Sequence, residues 1–220
     1  MEDIQELYKL LLESFGKQGW WPLYNEKTNK IEYHPDDYSF PKNEQQSFEI
    51  VIGAILTQNT SWKNVEKAME ELRKNNALSK TKLEALSAEK IAMLIKSSGY
   101  HNQKAKKIKE YLRFNKEITR ESLLRVWGIG PETADSILLY AYRQPVFVID
   151  AYTKRIMERI SLSFRSYNNL QKMFMDNFPR DYKVYNEFHA LLVELGKNVC
   201  KKEPLCDKCP LARSCGYFNK

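Results

Sequence analysis

The chain lacks any long apolar run. The longest extends from Ile50 to Leu56 and contains Gly53, so it is far shorter than the roughly 20 apolar residues that span a bilayer as a helix. The amino terminus, Met1-Glu2-Asp3-Ile4, is acidic and has no basic segment followed by an apolar one, as a secretory signal would have. We therefore expect a protein that is neither secreted nor inserted into a membrane.

Glycine and proline are scarce, with eight of each among 220 residues. Apolar residues instead recur at three- and four-residue spacing, beginning with Ile4, Leu7 and Leu11, which predicts an all-α protein. The aromatic, turn-rich stretch from Trp20 to Pro41 predicts a long ordered connection, and only Val146 to Ile149 predicts an extended run. The predicted helices are Ile4 to Phe15, Gln45 to Leu56, Trp62 to Asn75, Ser87 to Ser97, Gln103 to Phe114, Arg120 to Val126, Glu132 to Tyr142, Ala151 to Ile160, Tyr167 to Asn177 and Tyr182 to Lys197.

Cysteine is absent before residue 200, which excludes disulfides that staple the fold as a whole. The four cysteines that follow have the spacing C-x5-C-x2-C-x5-C, and they are Cys200, Cys206, Cys209 and Cys215. Four thiolates in so short a segment predict a single metal centre. A 4Fe-4S cluster suits this ligand type, and zinc is the alternative.

Acidic residues are outnumbered by basic ones, 28 against 35, which gives a net charge of +7 and an isoelectric point near 9.1. This balance favours a polyanionic partner such as nucleic acid or an acidic membrane surface. A merely solvated basic surface remains open at this point, because charge alone does not choose among the three.

Two glycines stand between two predicted helices, in the segment Gly128-Ile129-Gly130-Pro131. A glycine turn of this kind can direct backbone N–H groups outward beside the positive end of the second helix, where they can hold a phosphate oxygen. An ordinary helical hairpin with a glycine cap is the alternative.

Asp150 stands between the extended run and the next predicted helix, where an N-cap belongs. Capping that helix is the commonest role of an aspartate in this position. A carboxylate there could also stabilise positive charge on a deoxyribose as its base departs, or orient the attacking water. The two roles are compatible.

With Gly128-Ile129-Gly130-Pro131-Glu132-Thr133-Ala134 followed by Val148-Ile149-Asp150, the chain resembles the endonuclease III superfamily of helix-hairpin-helix DNA glycosylases. The resemblance implies two lobes with a DNA cleft between them: a helical barrel domain with the hairpin over 42–143, and a cluster domain from 1–41 plus 144–220. It makes Asp150 the catalytic aspartate and the four cysteines the ligands of a 4Fe-4S cluster, although the first cysteine gap is one residue shorter than in the family. It also implies that Gln58 fills the gap left by a flipped base and that Tyr100 is the intercalating wedge.

Bifunctional members of the family carry a Schiff-base lysine two residues after the second hairpin glycine, where this chain has Glu132. A carboxylate cannot form an imine, so we expect hydrolysis with weak or absent lyase activity. Trp20, Trp21 and Phe48, with Glu132, resemble the base pocket of the 3-methyladenine branch, whose cationic substrates suit aromatic faces. The three aromatic residues could instead simply fill the core.

The resemblance thus implies base excision repair of damaged bases, with alkylated purines such as 3-methyladenine as the expected substrates. A mismatch glycosylase for uracil or thymine opposite guanine, hypoxanthine as the substrate, and a non-catalytic iron-sulfur DNA-binding protein are the alternatives. The expected partner is double-stranded DNA with a damaged or mismatched base, bound by a cytoplasmic, nucleoid-associated monomer of a prokaryote, without a membrane. The three histidines, His34, His101 and His189, are predicted to be surface or loop residues.

Overall fold

A computed structural model describes residues 4–162 and 164–219. The chain divides into two compact units. The terminal unit consists of Met1–Pro22, Tyr33–Tyr38 and Arg143–Lys220, and the central unit consists of Leu23–Glu32 and Ser39–Tyr142. The sequence analysis grouped residues 23–32 and 39–41 with the chain ends. They lie instead in the central unit, which also contains the turn at Gly128 and Gly130.

The described residues are mostly helical, as expected from the sequence. The α-helices are α1 (Ile4–Phe15), α2 (Glu44–Leu56), α3 (Trp62–Lys74), α4 (Lys80–Ala85), α5 (Ala88–Leu94), α6 (His101–Leu112), α7 (Arg120–Leu123), α8 (Pro131–Ser136), α9 (Ala151–Arg159), α10 (Tyr167–Asp176) and α11 (Tyr182–Asn198). A π-helix, Ile137–Ala141, continues α8, and short 3-10 helices cover Lys96–Ser98, Cys206–Lys208 and Ala212–Ser214.

The ten predicted helices are all present, most of them with shifted ends. Local signals explain this agreement, because side chains such as Asn43, Ser87 and Asp150 cap the first free N–H groups of α2, α5 and α9. The sequence missed α4, a six-residue helix capped by Ser79. A helix of that length shows too little periodicity to stand out.

Helix α2 lies at the core of the central unit. All residues from Glu49 to Leu56 are buried, and the helix packs against α3, α6, α8 and the π-helix. The longest apolar run of the sequence is therefore core, since a helix buried on all sides has no polar face. No helix within the described ranges is long and apolar enough to cross a membrane.

A short antiparallel hairpin, β1 (Leu23–Asn25) with β2 (Lys30–Glu32), lies within the stretch that the sequence predicted to be a connection. Glu49 Oε1 accepts the N–H of Tyr24 at 3.2 Å and pairs with Arg73 at 2.9 Å, while the Arg73 guanidinium lies 3.7 Å from the centre of the Tyr24 ring. These contacts come from α2 and α3, so they are not visible in the local sequence. Conversely, Val146–Ile149 forms no strand but an irregular segment, and Phe147, Val148 and Ile149 are buried.

The terminal unit has an aromatic core. The ring of Phe147 stacks on that of Phe174 at 4.1 Å, and the rings of Tyr185 and Phe188 meet its edge. Helix α11 packs against both α1 and α9. The ring contacts of Phe147 fix the irregular segment that leads into Asp150.

Candidate functional site

The glycine turn of the central unit connects α7 and α8. Gly128 has φ +84°, a left-handed conformation that favours glycine, and a Cβ atom there would lie 2.4 Å from Lys107 Cγ. Gly130 is the N-cap of α8 and Pro131 is its first residue. Ile129 has a buried side chain, and its N–H donates to Val126 O at 3.1 Å. A DNA contact by the Ile129 N–H would therefore require that bond to be shared or broken.

An ion pair braces the two helices of this turn. Arg120 of α7 donates two hydrogen bonds to the fully buried Asp135 of α8, at 2.7 and 3.2 Å. Such a bidentate pair fixes distance and orientation together. The ion pair therefore holds together the two helices that flank the glycine turn.

Gln58, the expected gap-filling residue, is fastened to the same turn. Its Nε2 donates to Gly128 O at 3.1 Å and to Thr133 Oγ1 at 2.9 Å, and its Oε1 accepts from Lys107 Nζ. Burial lowers the pKa of Lys107. The sequence pointed to Gln58 but gave no indication of Lys107 or Thr133 as its partners, because three segments of the chain meet there.

Tyr100, the expected wedge, is 69% exposed and adopts a left-handed conformation (φ 45°) at the start of α6. With Gln58 it lines a cavity of about 150 Å³, whose other lining residues are Asn59, Gln103, Lys104 and Lys107. The structure thus brings the two residues that the resemblance assigned to the flipped-base gap to a single polar cavity.

Lys104 forms part of this cavity wall but has a buried side chain. Its Nζ donates to Leu56 O at 2.8 Å and to Ser98 O at 2.6 Å. Burial, together with the charge of Lys107, lowers the pKa of Lys104 to about 8. The amine therefore serves as a donor to two carbonyl groups.

Trp127, which the sequence analysis did not select, precedes the first hairpin glycine and is 47% exposed. The Nζ atom of Lys106 lies 4.3 Å from the centre of its ring. A tryptophan beside the glycine turn is a signal that the sequence offered, since Trp127 adjoins Gly128.

In the terminal unit, Asp150 caps α9. Its Oδ1 accepts the N–H of Thr153 at 2.7 Å, and its side chain is 13% exposed. Helix α10 holds the preceding segment: Tyr167 Oη accepts the N–H of Ile149 at 3.3 Å, and Gln171 donates to Phe147 O at 2.6 Å. The carboxylate therefore has a fixed position beside the positive end of a helix.

His189 was predicted to be a surface or loop residue, and this was wrong. It lies on α11, is 5% exposed, and its Nε2 is 3.8 Å from Asp150 Oδ2. Burial lowers its pKa, an effect that the charge of Asp150 partly opposes, so the imidazole is neutral at neutral pH. Sequence reasoning missed the residue because the helical face that contains it becomes buried only when α9 and α11 pack together.

The expected base-pocket residues belong to both units. In the terminal unit, the rings of Trp20 and Trp21 lie 5.5 Å apart, and Trp20 is also 5.5 Å from Tyr33, which is 41% exposed. In the central unit, Phe48 is half-buried on α2 and Glu132 is exposed in the first turn of α8.

A buried glutamate anchors the segment before the tryptophans. Glu187 of α11 accepts the N–H of Gln18 at 2.7 Å and the hydroxyl of Tyr38 at 2.6 Å. Burial, and then the hydrogen bond to Glu187, raise the pKa of Tyr38. The chain leading into Trp20 is therefore fixed to α11.

The four cysteines of the terminal unit line a single cavity, together with the apolar side chains of Val199, Leu205 and Phe218. Arg159 donates to Cys200 Sγ at 3.2 Å. Burial is the main cause that raises the pKa of Cys209, and the neighbouring cysteine thiols raise it further. Within the described part of the chain, no group of three or more Cys, His, Asp or Glu side chains is arranged to hold a metal ion.

Comparison with known proteins identifies the family. Residues 52–180 match the profile of the HhH-GPD superfamily base excision DNA repair protein. The chain is 38% identical to a Methanocaldococcus jannaschii protein provisionally assigned as a DNA repair glycosylase, over 97% of this chain and 96% of that protein. It is 30% identical to endonuclease III of Thermotoga maritima, over 82% and 89%.

A solved structure shows the same architecture. The 3-methyladenine DNA glycosylase of H. pylori, bound to 1,N6-ethenoadenine, is 27% identical in sequence and superposes with a TM-score of 0.70, covering 89% of this chain and 97% of that chain. The helical fold and the glycine hairpin of this chain agree with these matches, which extend across most of its length. The chain therefore belongs to the HhH-GPD superfamily of base excision DNA repair proteins, as a DNA glycosylase.

Proposed function

We propose that this glycosylase is monofunctional and hydrolyses the N-glycosidic bond of alkylated purines, such as 3-methyladenine, in duplex DNA. The observation that carries the hydrolytic mechanism is Glu132, an exposed carboxylate in the first turn of α8 at the position where bifunctional relatives carry the nucleophilic lysine. An amine is required for an imine, so water is the nucleophile that this site can use.

The contacts of three other lysines argue against a substitute amine. Lys104 is buried and donates to two backbone carbonyl groups. Lys106 and Lys154 lie against the rings of Trp127 and Tyr167, respectively. This supports a reaction that stops at the abasic site.

The aromatic residues of the terminal unit support the substrate class, and Trp21 among them is buried. Trp20, Trp21 and Tyr33 form a continuous group of rings, and Tyr33 keeps much of its surface exposed. Purines alkylated at N3 or N7 are cationic, and aromatic faces attract cations. A cationic base is also a good leaving group, so the enzyme needs selective binding more than acid catalysis.

The remaining roles are those that the family resemblance implies. After the damaged nucleotide is flipped out of the stack, Gln58 and Tyr100 fill the space it leaves. Gln58 must first release Gly128 O and Thr133 Oγ1. Asp150 stabilises the positive charge that develops on the sugar and orients the attacking water, while Gly128 and Gly130 bind the backbone phosphate.

The four cysteines would hold a 4Fe-4S cluster. They fit this group because all four thiols line one cavity and Arg159 donates to one of them, a contact that stabilises a thiolate. When bound, the cluster would cross-link the carboxyl-terminal loop. We expect the enzyme to act as a monomer at the nucleoid of a prokaryotic cell.

Chromatography of the bases released from methylated duplex DNA tests the substrate. The parallel substrates are oligonucleotides with G:U, G:T and hypoxanthine, and alkali reveals abasic sites. Release of 3-methyladenine without strand breaks before alkali is the expected result. Release of uracil or thymine instead would assign the enzyme to mismatch repair, and release of no base from any lesion would indicate a DNA-binding protein without catalysis.

A matched pair of variants tests the role of Glu132. Glu132→Lys places an amine at the family position, so borohydride should trap a covalent complex between the variant and DNA. Glu132→Gln has a side chain of the original length without an amine, and no complex should form. Equal trapping by the wild type would show that another lysine supplies the lyase function.

A further inference from the structure

A buried histidine that the proposed mechanism does not use lies beside the proposed catalytic carboxylate. His189 Nε2 is 3.8 Å from Asp150 Oδ2, and the two side chains are 7% and 13% exposed. The imidazole ring stands edge-on to Phe147, with 6.4 Å between the ring centres and an angle of 87°. Packing therefore fixes the ring on one side, with its Nε2 facing Asp150.

The separation between the two residues is set by close packing of α9 and α11. A Cβ atom at Gly196 of α11 would lie 2.6 Å from Tyr152 Cβ of α9, so only glycine permits this approach. Arg155 of α9 also donates to Gly196 O at 2.8 Å and to Cys200 O at 2.9 Å. Because these contacts lock the helix pair, the geometry of His189 and Asp150 does not depend on a flexible loop.

The two oxygens of the Asp150 carboxylate have different surroundings. Oδ1 accepts the N–H of Thr153 at 2.7 Å and is occupied as the cap of α9. Oδ2 faces His189. A carboxylate that is largely removed from water needs a donor at each oxygen to keep one orientation, and a neutral imidazole can donate from Nε2.

We propose that His189 is a positioning residue for Asp150: its imidazole fixes Oδ2, so that the carboxylate keeps one orientation toward the reacting sugar. The inference rests on the proposed catalytic role of Asp150. A shift of less than 1 Å converts the 3.8 Å separation into a hydrogen bond. A neutral donor is suited to this task, because a cationic imidazolium would neutralise the charge with which Asp150 stabilises the sugar cation.

A double-mutant cycle measured in single-turnover base release tests the proposal. His189→Ala should slow the wild type by about 10- to 100-fold, the usual cost of a catalytic group that is displaced by about an ångström. The affinity for a duplex containing an uncleavable abasic analogue should change by less than about 2-fold. His189→Gln, whose amide can donate to Oδ2, should recover most of the rate. In an Asp150→Asn background, His189→Ala should cause no further loss.

Asn186→Ala is the matched control, since Asn186 is a buried polar residue one turn earlier on α11. It should leave the single-turnover rate within about 2-fold of the wild type. If His189→Ala does not fold, as judged by its melting transition, His189→Leu takes its place. An equal loss from the His189 variant in both backgrounds, or no loss in either, would overturn the proposal. Full activity of Asp150→Asn would instead overturn the catalytic assignment itself, and the positioning role with it.

Discussion

Replacing Arg120 by alanine tests how the glycine turn is held. The change leaves the carboxylate of Asp135, which is 0% exposed, without its guanidinium and the two hydrogen bonds at 2.7 and 3.2 Å. Removing one partner of a buried ion pair costs about 3 to 5 kcal/mol. Because Arg120 is 25% exposed, water can reach part of the gap, so we expect a loss of about 3 kcal/mol.

For a chain of this length, each kcal/mol lowers the melting temperature by about 2 to 4 °C, so the transition should fall by about 6 to 12 °C. Urea denaturation measures the free energy of unfolding directly. Arg113→Ala is the matched control, because Arg113 forms a pair of similar length with Glu110 on α6 but is 71% exposed. Such surface pairs contribute less than about 1 kcal/mol.

Asp135→Asn separates charge from packing. Added to Arg120→Ala, it removes the buried charge and should recover part of the lost stability. The double variant should therefore be more stable than Arg120→Ala alone. If Arg120→Ala and Arg113→Ala cost the same, the pair between α7 and α8 does not brace the turn and the reasoning fails.

Three further predictions concern the turn, the buried histidine and the cysteines. Gly128→Ala should weaken duplex binding in fluorescence anisotropy and destabilise the fold by at least about 1 kcal/mol, because φ is +84° and Lys107 must move. Gly130→Ala, with open space around its Cβ, should leave the stability unchanged, and equal destabilisation by the two variants would contradict this reasoning. Burial lowers the pKa of His189 below its usual 6.5, so the unfolded chain takes up a proton at a higher pH than the folded protein does. The free energy of unfolding should therefore fall as the pH drops below about 6.5. In urea titrations, His189→Leu should flatten that decline. Cys209→Ala should abolish stoichiometric iron and sulfide in elemental analysis of the purified protein, whereas stoichiometric zinc in the wild type would favour the alternative metal.

The candidate site was predictable where its signals are local. The glycine turn, Asp150 as an N-cap and the four-cysteine segment are each readable within a few residues, because caps and tight turns depend on neighbouring backbone groups. The structure contains this cap as a hydrogen bond from Thr153 N to Asp150 Oδ1. The catalytic role of Asp150 stays a prediction, since the cap alone would account for an aspartate at that position.

Tertiary structure decided what local signals do not contain. The β1 and β2 hairpin depends on Glu49 and Arg73, which lie on two helices remote in sequence. Gln58 is fastened to the glycine turn by atoms from α6 and α8. Each of these polar contacts forms only when separate segments exclude water from a shared space, so side-chain type at one position does not predict it.

His189 shows the same limit most plainly. By itself the sequence determined the helices, the turn between α7 and α8, the cap of α9 and the grouping of the cysteines, because these follow from periodicity and from neighbouring backbone groups. Only the packing of α11 on α9, made close by Gly196, buried His189 and brought it to Asp150. Burial is a property of the assembled helices, and it is burial that keeps this imidazole neutral.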